Sequence, residues 1–145
     1  MQITSRFTIA VHILCCIEIF KKDYTVTSNF LAGSIGANPV IIRNVMGKLK
    51  DSGIIDISRG KSGISLARPL DKITLYDIYK AVECTDDSGL FRFHENPNLE
   101  CPVGRNIHKV MDSRLEAAQT ALENELKGTS LAEIVADTQK IISEE

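Results

Sequence analysis

A chain of 145 residues, 43% apolar and 25% charged, is long enough for one domain with its own core, which excludes a disordered tail. The net charge of -2 is unevenly spread: residues 1–75 carry ten Lys/Arg against five acids, and residues 76–145 carry seven against fourteen. A basic half suited to a polyanion is thus joined to an acidic half with another role.

Apolar residues Ile3, Phe7, Ala10, Leu14 and Ile17 recur every three or four positions, which predicts a helix from Ile3 to Phe20. Thr27 or Ser28 can cap a short second helix carrying Phe30, Leu31 and Ile35, with Gly36 as the turn after it. Asn38-Pro39 is a helix start, and Gly53 a stop, so a third helix spans Pro39 to Asp51 with Ile42, Val45, Met46 and Leu49 inward. Alternation in 54–58 and 64–67 around Arg59-Gly60-Lys61-Ser62-Gly63 predicts a hairpin. Thr74 starts a helix through Leu75, Ile78, Tyr79 and Val82. Residues 84–102 then form a loop too long for a plain connector. Val103 to Lys127 reads as one long helix with a stripe of Ile107, Met111, Leu115, Ala118, Leu122 and Leu126. Ser130 caps a final helix. The expected fold is mainly α with a small β-hairpin: a winged helix-turn-helix, residues 1–83, then a sensor loop, 84–102, then dimerisation helices, 103–145.

Helix, turn, helix and basic hairpin in that order suit duplex DNA, whose bases are read by a helix in the major groove and whose phosphates attract cations. On the third helix Val40, Ile41, Arg43, Asn44 and Lys48 face outward. Arg43 and Asn44 are candidates for base edges, Lys48 and Lys50 for phosphates. Arg59 and Lys61 at the wing tip are candidates for backbone or minor-groove contact, Arg59 the better of the two. No Ser/His/Asp grouping, acid pair or phosphate-cradling loop supports an enzyme.

The block Asn38-Pro39, Leu49, Gly53, Arg59-Gly60-Lys61-Ser62-Gly63 and Ile73-Thr74-Leu75-Tyr76-Asp77-Ile78 resembles bacterial winged-helix regulators of the Rrf type, which include IscR, NsrR and CymR. The stretch from His94 to Ile107, with Asn96-Pro97-Asn98 and Cys101-Pro102-Val103-Gly104-Arg105, looks most like the YwnA-like subgroup. The resemblance implies a homodimer joined along the long helix, bound to double-stranded DNA at a palindromic operator and usually repressing transcription. Two departures stand out. The wing has fewer glycines and an extra cation than the Gly-Pro-Gly-Gly-Gly-Tyr of many relatives, and Arg43 occupies the position of a base-reading acid in the iron–sulfur regulator, so a different sequence is expected to be bound.

Four cysteines without secretion signals read as reduced thiols, because the start Met-Gln-Ile-Thr-Ser-Arg lacks the basic and apolar segments of a leader. The apolar stretch Phe7 to Ile19, interrupted by His12 and Glu18, falls short of the roughly 18 residues of a membrane span. A cytoplasmic protein without membrane contact is expected. Cluster-bearing relatives present three closely spaced cysteines, whereas only Cys84 and Cys101 flank the loop here, with His94 and His108 nearby. No metal or cofactor is therefore expected. Cys101, before Pro102 and a helix start, is the candidate redox thiol, with an oxidant and a low-molecular-weight thiol or Cys84 as reaction partners. A small apolar cap under the loop is the other reading of Cys101. Cys15 and Cys16 read as core or interface filling, and His12 as partly buried. Two rivals are an iron–sulfur or metal-sensing regulator of the same fold, and an interaction module binding a metabolic enzyme.

Overall fold

The computed structural model describes residues 3–58, 63–83 and 90–145. Among the described residues, six α-helices and one hairpin follow in the expected order: α1 (Ser5–Phe20), α2 (Ser28–Ile35), α3 (Pro39–Asp51), β1 (Ile55–Ile57), β2 (Ile64–Leu66), α4 (Leu75–Val82), α5 (Pro102–Lys127) and α6 (Leu131–Ser143). A short 3₁₀ turn, Leu70–Lys72, precedes α4.

The helix starts come from side-chain oxygens that accept the unpaired first-turn amides. Thr27 accepts from Phe30 N and Asn38 from Val40 N. Thr74 with Asp77, and Ser130 with Glu133, form reciprocal capping boxes. Gly36 adopts φ 73°, a left-handed geometry that a side chain resists, and so turns α2 sharply into α3. In the hairpin, β1 and β2 pair antiparallel with Ile55 opposite Leu66 and Ile57 opposite Ile64.

The core gathers Ile13, Leu14 and Ile17 of α1, Leu31 of α2, Ile42, Val45 and Leu49 of α3, Ile55 of β1 and Ile78 of α4. Each fully buried Ile or Leu contributes about 1.5–3 kcal/mol over an exposed one. Cys15 and Cys16 are buried in this core, and burial first, then the neighbouring Cys16, pushes the Cys15 thiol up to about 11. Leu131 and Val135 of α6 lie in the same core. The last helix therefore packs with the first 83 residues although its sequence follows the long helix.

Within α5 no residue is buried. Its C-terminal end is nonetheless fixed: Leu131 N donates to Ile73 O at 2.7 Å, Leu75 N donates to Thr129 O at 3.0 Å, and the Lys127 ammonium sits 4.5 Å from the centre of the Tyr76 ring. The stripe of Ile107, Met111, Leu115, Leu122 and Leu126 is half-buried, and Ala118 is exposed. At 26 residues the helix is about 39 Å long.

Candidate nucleic-acid interface and thiol site

The α3 sequence divides into two faces. Ile42, Val45, Met46 and Leu49 are buried, while Arg43, Asn44 and Lys50 are exposed and Lys48 is half-buried. Val40 and Ile41 are 56% and 43% exposed, unusual for branched apolar side chains and in line with contact to another surface. The outward set from the sequence is thus brought together along one ridge.

Which cations can serve a polyanion depends on whether they are already used. Arg68 is used: it donates to Asp77 Oδ2 at 2.8 Å and to Lys72 O at 2.6 Å, tying the hairpin exit to the start of α4. Lys21 pairs with Glu18 at 2.8 Å. The Arg43 and Lys50 side chains, by contrast, make no ion pair or hydrogen bond among the described residues. Lys48 reaches the Val82 carbonyl at 3.5 Å, a long contact that leaves most of its donor capacity open.

The ridge is flanked on both sides. Toward the hairpin runs a groove of about 590 Å³ lined by Arg43, Met46, Lys50 and Asp51 of α3, by Thr27 and Ser28 at the start of α2, and by Ile57 and Gly63 of the hairpin. On the other side a hollow of about 240 Å³ is lined by Ile41, Asn44, Val45 and Lys48 together with Arg6 of α1. Sequence reasoning missed Arg6, because nothing in a helical period reveals that the start of α1 comes beside α3. Arg59 and Lys61 lie outside the described residues, as does Cys84.

Cys101 is exposed at the N-cap of α5. The amides of Gly104 and then Val103 stabilise its thiolate and draw its pKa below the ordinary thiol value of 9.0. The preceding loop is wound tightly onto this helix start. Cys101 N donates to Asn98 O at 3.2 Å, Glu100 N donates to Asn98 Oδ1 at 3.0 Å, and a side chain at Gly104 would collide with the Asn98 carbonyl. The exposure disagrees with Cys101 as a cap under the loop. Upstream, Leu90 N donates to Gln119 Oε1 at 2.9 Å, and the Phe93 ring lies 4.7 Å from His94 and 3.9 Å from His108. His12 is exposed rather than partly buried, with Nε2 3.1 Å from the Ser34 hydroxyl.

An iron–sulfur cluster needs several convergent thiolates. Cys15 and Cys16 are buried on α1, Cys101 is at the head of α5, and among the described residues no three His, Cys, Asp or Glu side chains converge on one point. The described residues do not fit a cluster. Among them also, no helix is long and apolar enough to cross a membrane.

Comparison with known proteins agrees with this geometry. YwnA of Bacillus subtilis, named as an HTH-type transcriptional regulator, is 38% identical over 134 residues, covering 92% of this chain and 97% of that protein. A crystal structure described as a DNA-binding protein superposes with a TM-score of 0.71 at 33% identity, covering 90% of this chain and 98% of the other. CymR of B. subtilis, called a global cysteine regulator, shares the fold with a TM-score of 0.67 at 16% identity, over 94% and 97% of the two chains. The family model Rrf2, described as an iron-dependent transcriptional regulator, matches residues 3–137. The chain belongs to the Rrf2 family of DNA-binding transcriptional regulators.

Proposed function

We propose that the protein is a homodimeric repressor that sets two copies of α3 into successive major grooves of a palindromic operator, with Cys101 as its oxidant-sensitive thiol. The observation that carries the DNA reading is the α3 ridge, where Arg43 and Lys50 have no acid partner among the described residues. A cation already neutralised within its own fold gains little from a phosphate, whereas an unpaired one gains by displacing condensed counterions. Arg43 and Asn44 supply donors for base edges, Lys48 and Lys50 for phosphates, and the sequence offers Arg59 and Lys61 as further cations for the DNA backbone or minor groove. Residues 84–102 act as the sensing segment between the reading domain and α5.

Selection of bound duplexes from a random pool tests this. Wild-type protein is expected to enrich a palindrome, and Arg43→Ala to relax preference at one base position per half-site, at a cost of about 1–3 kcal/mol for each lost bidentate contact. Lys50→Ala is expected to weaken all sequences alike. An unchanged enriched sequence with Arg43→Ala would remove α3 from the major groove.

The thiol reading rests on the exposure of Cys101 and on the amides that favour its charged form. With hydrogen peroxide as oxidant, the thiolate sulfur attacks one peroxide oxygen, the O–O bond breaks, and hydroxide leaves the sulfenic acid behind. A low-molecular-weight thiol then displaces the sulfenic oxygen as water and forms a mixed disulfide. Because only the thiolate reacts, the pH midpoint for alkylation of Cys101 is expected below 9.0. Peroxide treatment is expected to lower operator affinity of the wild type and to leave Cys101→Ser unaffected. Equal loss in both proteins would assign the sensitivity elsewhere.

A further inference from the structure

We propose that the hollow between the start of α1 and α3 is a phosphate seat, in which Arg6 and Lys48 hold a phosphodiester of the DNA strand that borders α3 on the side away from the hairpin. This rests on α3 entering the major groove. A helix is about 10–12 Å across with its side chains, and the groove is about 12 Å wide, so a phosphate strand must pass on each flank. The hairpin-side flank holds Arg43 and Lys50. The other flank holds Arg6 and Lys48, with Asn44 as a third polar group and Ile41 and Val45 as the floor.

Three features suit this seat to an anion. No Asp or Glu is among its lining residues. The Arg6 guanidinium donates to no other described residue, so its five donors are uncommitted. Its backbone, in contrast, is held firmly. Arg6 N donates to Thr4 Oγ1 at 3.2 Å, and Thr4 is anchored by the Glu83 carboxylate. Glu83 Oε1 accepts from Thr4 N at 3.0 Å, Thr4 Oγ1 at 2.6 Å and Phe7 N at 3.2 Å. Only 6% of Glu83 is exposed, so these bonds satisfy a charge otherwise costly to bury. Glu83 is thus a positioning residue for Arg6, at the end of α4 where the sensing segment begins.

The test scans a bound duplex with single neutral methylphosphonate linkages, in wild type and Arg6→Ala. One linkage per half-site is expected to weaken the wild type about tenfold and the variant hardly at all, the coupling of one charge-assisted contact. Arg6→Ala is also expected to lower the salt slope by about one per half-site while keeping sequence preference. Glu83→Gln, which retains an acceptor oxygen, should keep the coupling, and Glu83→Ala should lose it. Should Glu83→Ala fail to fold, exposed Arg6 still carries the test.

A linkage scan identical in wild type and Arg6→Ala, with Arg43→Ala still altering preference, overturns the seat alone. Wild type that binds no duplex overturns both the seat and the DNA reading. Inorganic phosphate that binds wild type but not Arg6→Ala, together with a flat scan, assigns the hollow to free phosphate and likewise overturns the proposal.

Discussion

Raising salt from roughly 50 to 200 mM is expected to weaken operator binding by about 10⁵-fold. The net charge of -2 would suggest no such sensitivity, since it predicts weak repulsion from DNA. What decides the outcome is where uncompensated cations lie. Arg6, Lys48 and Lys50 flank the α3 ridge without acid partners among the described residues, and the sequence adds Arg59 and Lys61 at the wing tip. Five phosphate contacts in each half-site, or about ten per dimer, place the logarithmic slope near -9. Fluorescence anisotropy on a labelled duplex measures it. Arg68→Ala serves as the internal control, because Arg68 is already committed to Asp77 and Lys72 and should leave the slope unchanged. A slope near zero with binding intact would mean that recognition does not run through the phosphates at all, and would discredit the whole cationic surface. Loss of slope with Arg68→Ala would move the interface to the hairpin exit.

The features legible in the sequence were those written in local chemistry. Asn38 and Pro39 announce the start of α3, and Asn38 Oδ1 indeed accepts from Val40 N at 2.8 Å. The helical period separates Ile42, Val45, Met46 and Leu49, all buried, from Arg43 and Asn44, both exposed. What stayed hidden depends on contacts between distant positions. Glu83 binds Thr4 across a separation of 79 residues, and neither residue carries a pattern pointing to the other. Arg6 becomes a candidate contact only through that anchoring. The burial of Leu131 and Val135 beside α1 was hidden for the same reason, since an amphipathic stripe declares that it needs a partner without naming it.

The same ambiguity governs α5, and it leads to the other large effect: Val110→Glu is expected to convert the proposed homodimer into monomers and to lower affinity for a palindromic duplex by about 10²–10⁴-fold. No residue of this 26-residue helix is fully buried by its own chain, which covers one side only in part, and helices in proteins owe most of their stability to packing of one face. Val103 and Val110 are 68% and 50% exposed, and Ala117, also exposed, continues their spacing of seven residues. That heptad spacing of small and β-branched residues fits a second helix lying alongside. A glutamate there would place a charge and its partner copy's charge in the seam, which desolvation and mutual repulsion both oppose. Because Val110 is already exposed in the single chain, the substitution should alter folding of the protomer by no more than about 0.5 kcal/mol. Light scattering after size exclusion reads the mass, and anisotropy on full and half palindromes reads the affinity. The two must move together: monomeric protein should bind full and half sites alike, since linkage between the two copies is what makes the second contact effectively intramolecular. A Val110→Glu protein that remains dimeric and retains its preference for the full palindrome would show that the copies associate through another surface, and would leave the exposed stripe of α5 to a different partner.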